Sequence, residues 1–81
     1  MDDIITLDEL ETGECGFIVK LSNEDSMRRR LMDIGLVEET RVVCVGQSPA
    51  GDPKAYQIRG SVMALRRTDG QKITVRRLHA T

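Results

Sequence analysis

The sequence predicts a small, mainly β protein: an SH3-like barrel of about five strands with one α-helix inserted after the first strand. Three observations carry this. Five short runs rich in β-branched residues are separated by Gly, Pro, Asn and Asp turn signals. Only one segment shows the helical repeat of apolar positions. The chain has 81 residues with Phe17 and Tyr56 as its only aromatics, so residues 1–81 form one domain around an aliphatic core.

Taken in order, Thr6-Leu7-Asp8-Glu9 has the form of a capping box and predicts a short helical turn over residues 6–10. Residues 14–21 read as the first strand. Phe17, Val19 and Leu21 share one parity, Ile18 has the other, and Gly16 permits a bulge, so the inward face stays open. Residues 24–34 read as the helix, capped by Asn23 or Ser22. Met27, Leu31 and Ile34 form its buried stripe, and Glu24–Arg28, Asp25–Arg29 and Arg29–Asp33 are spaced for ion pairing. Gly35 is placed to stop it. Strands follow at 40–47, 54–59, 61–66 and 72–77, with Tyr56 and Ile58 sharing one face and Ile73 and Val75 buried. Pro49 to Pro53 is a loop, Gly60 turns the chain, and Asp69-Gly70 is a turn signal. Residues 78–81 read as a loose tail. Closing the sheet into a barrel would remove its edges.

Composition limits the function classes. No apolar run approaches the roughly 20 residues of a membrane-spanning helix, and the acidic start Met1-Asp2-Asp3 predicts no secretory signal, hence a cytoplasmic protein. Residues 1–39 hold 11 acids and 4 bases, a net −7; residues 40–81 hold 2 acids and 8 bases, a net +6. A barrel interleaves the two halves of its chain, so this asymmetry reads as a mixed surface. Nucleic-acid modules carry a basic pI and stacking aromatics; this chain has a pI near 5.8 and neither feature, so no nucleic-acid partner is expected.

Catalytic motifs are absent. The sole histidine, His79, lies near the end of the chain, and there is no phosphate-binding glycine loop. The sequence thus predicts a protein that is not an enzyme. Cys15, Cys44 and His79 are the only soft ligands apart from methionines, too scattered for a closed zinc site; they are the weak candidates for a transition-metal site, and no firm cofactor is expected. Asp2-Asp3 and Glu38-Glu39 offer at most weak divalent-cation sites.

The sharpest local feature is Arg28-Arg29-Arg30. At 100° per residue, Arg28, Arg29 and Met32 point away from the buried stripe while Arg30 flanks it. An outward methionine beside two arginines suits a protein-binding patch, since Met repacks easily and Arg is common in interfaces. The bland alternative is an ion-paired helix surface.

Read together, RRRLMDIGL (Arg28 to Leu36), the V-V-C-V strand, SPAGDP (Ser48 to Pro53), Arg59-Gly60 and ALRR (Ala64 to Arg67) resemble the FeoA family, over about Leu7 to Val75. The resemblance implies an SH3-like barrel and an accessory role in bacterial ferrous iron uptake. It implies as partner the FeoB-type membrane permease, through its cytosolic GTPase domain, with the membrane reached only through that partner. Arg28, Arg29, Met32, Gly35 and Leu36 are the expected contact residues. A transition-metal sensor related to the SH3-like domain of iron-dependent repressors is the alternative reading, and a homo-oligomer through an apolar sheet edge stays open. Two places depart from the family pattern. Glu38-Glu39-Thr40 stands for a Pro-Gly-Thr-like turn, and Asp69-Gly70 stands where the family often keeps a short helical turn.

Overall fold

The computed structural model describes residues 2–78. Six strands and two helices build it: β1 (Asp3–Thr6), a 3-10 turn (Leu7–Glu9), β2 (Cys15–Leu21), α1 (Asp25–Asp33), β3 (Arg41–Gln47), β4 (Lys54–Ile58), β5 (Ser61–Leu65), α2 (Arg67–Gly70) and β6 (Ile73–Leu78). All strands belong to one antiparallel sheet in the order β1-β6-β2-β3-β4-β5. The mainly β, SH3-like architecture expected from the strand runs is the one observed, with its principal helix after β2.

The five expected strands appear within about two residues of their predicted bounds. The sixth, β1, is only four residues long and carries Asp3; it gains strand character from β6, against which Asp3 pairs with Arg77 and Thr6 with Thr74. Leu78, expected in a loose tail, is the last residue of β6 and pairs with Cys15. His79 lies outside the described residues. Asp69-Gly70, expected as a turn, closes the one-turn helix α2. There Gly70 packs against Asp8, where a Cβ would stand 3.2 Å from the Asp8 backbone nitrogen.

The sheet does not close into a ring through β1 and β5; among the described residues they are its two edges. The segment after β1 is tied instead to β4 by side chains. Lys54 Nζ donates to the carbonyls of Asp8 (2.6 Å) and Leu10 (2.8 Å), and the Tyr56 hydroxyl donates to that of Leu7 (3.3 Å). The capping box holds the turn itself, with the Thr6 N–H donating to Glu9 Oε1 at 2.9 Å. That bond also draws the Glu9 carboxyl below its ordinary pKa.

The parity ambiguity of β2 has a physical answer. Gly16 and Ile18 point inward, and the register against β6 then slips between Ile18 and Lys20, so Val19 is the bulged residue and Leu21 returns to the core side. Gly16 is not a bulge. It lets two strands approach closely, because a Cβ there would stand 2.6 Å from the Arg76 carbonyl oxygen. Ile18, Val42, Tyr56, Ile58, Ile73 and Val75 fill the interior together with Leu31 and Leu36.

The charge asymmetry of the sequence is stitched together across the termini. Arg76 pairs with Asp2 at 2.8 Å; Arg77 forks onto Asp3 at 2.5 and 3.1 Å and reaches Glu14 at 3.5 Å. The acidic first strands and the basic last one are neighbours in space, so much of the imbalance cancels locally.

Candidate partner-binding site

Helix α1 is short and earns its place by one anchor. Leu31 is fully enclosed and Met27 packs partly against the core. Ile34, expected to complete the buried stripe, is 52% exposed. The helix ends at Asp33, so Ile34 no longer follows its 100° step. The end is a Schellman motif: the Leu36 N–H bonds to the Leu31 carbonyl at 2.9 Å and the Gly35 N–H to that of Met32 at 3.0 Å. Gly35 takes φ 108, a left-handed conformation that side-chain-bearing residues resist.

That motif decides where the expected contact residues stand. Arg28, Arg29 and Met32 are exposed, Met32 by 48%, and Gly35 is half-buried. Leu36 is 0% exposed. The motif folds it back onto Leu31, so it is a core residue and no partner can touch it; its place in the expected contact set is corrected. The N-terminal cap is corrected too. Glu24 occupies the capping position without a side-chain bond, while Asn23 donates from Nδ2 to the Asp69 carbonyl at 3.2 Å, fastening α1 to α2. None of the three expected pairs forms among the described residues; the helix's ion pair is instead Asp25–Arg28 at 3.0 Å, three residues apart and exposed.

Arg28 and Met32 line an open groove of about 640 Å³ whose other walls are Lys20, Leu21, Val37 and Glu38. No sequence pattern points to Lys20 and Leu21, since their facing depends on the bulge at Val19. The groove has an apolar floor of Leu21, Met32 and Val37 and a basic rim of Lys20 and Arg28, with Glu38 at one end. Arg29 stands outside it, with Asp25 and Asp33, on the outer face of the helix. The chemistry is that of recognition: an adaptable Met over an apolar floor with a cationic rim.

The two cysteines do not converge. Cys15 is half-buried and faces Val43 across the β2–β3 ladder, while Cys44, one residue on, points to the opposite face and is enclosed in the core. Among the described residues no three His, Cys, Asp or Glu side chains cluster for a metal ion. Asp2 and Asp3 are engaged by Arg76 and Arg77. No described helix is long and apolar enough to cross a membrane.

Comparison with known proteins places this geometry. A FeoA domain model matches residues 5–77. The chain is 35% identical over 69 residues to a Fe(2+) transport protein A/Fe(2+) transporter FeoB fusion protein of Porphyromonas gingivalis; the match covers 85% of this chain and 8% of that much longer protein. The solution structure of a FeoA protein from Chlorobium tepidum superposes with a TM-score of 0.88 at 33% identity, covering 93% of this chain and 71% of that one. The crystal structure of Stenotrophomonas maltophilia FeoA complexed with zinc, described as a prokaryotic SH3 domain protein, superposes with a TM-score of 0.78 at 27% identity over 88% of each chain. The six-stranded sheet, the helix after β2 and a family match that runs from β1 into β6 lead to one conclusion: this chain belongs to the FeoA family.

Proposed function

We propose that the chain is a non-enzymatic accessory protein of ferrous iron uptake that binds the cytosolic GTPase domain of a FeoB-type permease, through the groove between α1 and β2. The observation that carries the reading is the fusion relative. There a domain similar to this one shares a polypeptide with a Fe(2+) transporter. Fusion raises the effective concentration of two modules toward the millimolar range, which supports a working contact between them. The groove supplies a surface of the right kind: exposed Met32 flanked by Arg28 and Lys20, on a helix held rigidly by the Leu31 anchor and the Gly35 stop. Such a protein works on the cytoplasmic side of the membrane, where the GTPase domain lies, and touches no nucleic acid.

The test is an NMR titration of the labelled protein with the cognate GTPase domain, with and without guanine nucleotide. Shifts at Lys20, Arg28, Met32 and Val37 are expected. Arg28→Glu combined with Met32→Asp should weaken binding at least about tenfold, the scale of one lost interface anchor, while leaving the melting temperature in place. Unchanged affinity in that double variant would move the contact elsewhere.

A further inference from the structure

Beside the groove lies a second depression of about 570 Å³, lined by Glu38, Glu39, Thr40, Arg41, Gln57 and Arg59 over a half-buried Val43. Two tight turns form its walls, and both carry residues ill suited to turning. The turn 37–40, closed by the Thr40 N–H to the Val37 carbonyl at 3.1 Å, holds its third residue, Glu39, at φ 70. That position of a type II turn calls for glycine. The hairpin between β4 and β5 has Arg59 at φ 51 and Gly60 at φ 83, the two positive φ values of a type I′ turn. Its first position favours Asn, Asp or Gly. Glu39 and Arg59 are the only non-glycine residues with positive φ among those described, and both open onto the same depression.

Turn chemistry therefore does not explain these side chains; what they face does. Val42 pairs with Ile58, and the residues flanking that pair, Arg41 and Arg59, both line the depression, like charges on one patch. Neither guanidinium has a carboxylate within ion-pair distance among the described residues. Glu38 and Glu39 stand on the same rim, equally unpaired. Thr40 is 8% exposed and its enclosed hydroxyl has no hydrogen-bond partner. Two acids and two bases held apart on one patch leave charges of both signs to be met from outside.

We propose that this depression is a self-complementary docking site for a second copy of the chain. A two-fold axis through it lays Glu38 and Glu39 of one copy against Arg41 and Arg59 of the other, and the reverse, in the isologous manner of a symmetric dimer. The same patch on another molecule matches its charges sign for sign. Exposed ion pairs are individually weak and screened by salt, so the dimer is a weak, salt-sensitive one. Glu38 belongs to both the depression and the partner groove, so occupancy of one disturbs the other.

The experiment is sedimentation velocity of the purified protein over a concentration series, at low and high salt. The wild type should associate to dimers at low salt and dissociate at high salt. Glu39→Gly and Arg59→Gly should each melt higher than the wild type, because each restores the residue its turn favours, and should each sediment as a monomer. Charge swaps supply the decisive arm. Glu38→Arg with Glu39→Arg makes one patch wholly basic, and Arg41→Glu with Arg59→Glu makes another wholly acidic; each should be monomeric alone and the two should form a heterodimer when mixed. A wild type that stays monomeric throughout overturns the proposal. So do glycine variants that associate undiminished, or a charge-swapped mixture that does not dimerise. None of these outcomes bears on whether the GTPase domain binds the neighbouring groove.

Discussion

Replacing Gly16 by alanine tests the packing logic of the sheet at its tightest point. A Cβ at Gly16 would lie 2.6 Å from the Arg76 carbonyl oxygen, 3.1 Å from its carbon and 3.2 Å from the Arg77 Cα. All three are backbone atoms, so no side chain can swing aside. Ordinary contact begins near 3.4 Å, so β6 would have to retreat by about 3.4 − 2.6 = 0.8 Å. A shift of that size stretches the ladder between Gly16 and Arg77 past hydrogen-bonding range. Overpacking of this kind costs about 1–3 kcal/mol, and a weakened ladder bond adds about 1, for a total near 3. In a domain of this size that corresponds to a fall in melting temperature of about 12–24 °C. Urea unfolding followed by circular dichroism reads it directly. Gly46→Ala is the control: nothing stands within 4 Å of its would-be Cβ and its φ is not positive, so it should be neutral or slightly stabilising. If Gly16→Ala unfolds within about 0.5 kcal/mol of the wild type, or if both variants fall equally, the close-approach argument is wrong.

Other outcomes follow from the same contacts. Burial pushes the Tyr56 phenol above its ordinary value of 10.0, so in strong alkali the unfolded chain loses a proton that the folded one keeps. Stability should therefore be intact below pH 10 and fall by up to about 1.4 kcal/mol per unit above it, a slope that Tyr56→Phe abolishes in alkaline urea titrations. Lys54→Met removes the donor that holds the Asp8 and Leu10 carbonyls; a loss of about 1.5–3 kcal/mol is expected, with hydrogen exchange accelerated in residues 7–10 first. Gly35→Ala should cost about 1–2 kcal/mol, since alanine resists φ 108 and its Cβ would meet Arg59 Cδ at 3.1 Å; an alanine variant as stable as the wild type would mean that the Schellman end of α1 is not fixed as described.

Local signals in the sequence were reliable where the physics is local. The capping box at Thr6, the stop at Gly35, the loop to Pro53 and the inward parity of Tyr56 and Ile58 each depend on a few adjacent residues, and each is found. What failed to show was everything set by a partner strand. β1 is a strand because β6 is beside it, Val19 bulges where the register against β6 slips, and Leu36 is buried because the helix end folds it back onto Leu31. For the candidate site, periodicity put Arg28, Arg29 and Met32 outward correctly. Lys20, Leu21 and Val37 come from outside the helix, and no spacing rule in the chain joins them to it.

The pairing of β1 with β6 has a consequence for how this domain can be built into larger chains. Asp3 sits directly across from Arg77, so the polypeptide enters and leaves the fold side by side, at one corner. A domain with neighbouring ends can hang from another protein by either end, or interrupt a surface loop, without its interior registering the difference. By the same geometry, the two ends should tolerate being sewn together with a short glycine-rich joint, and new ends opened in the Ser48–Pro53 loop should yield a circularly permuted chain with the same core.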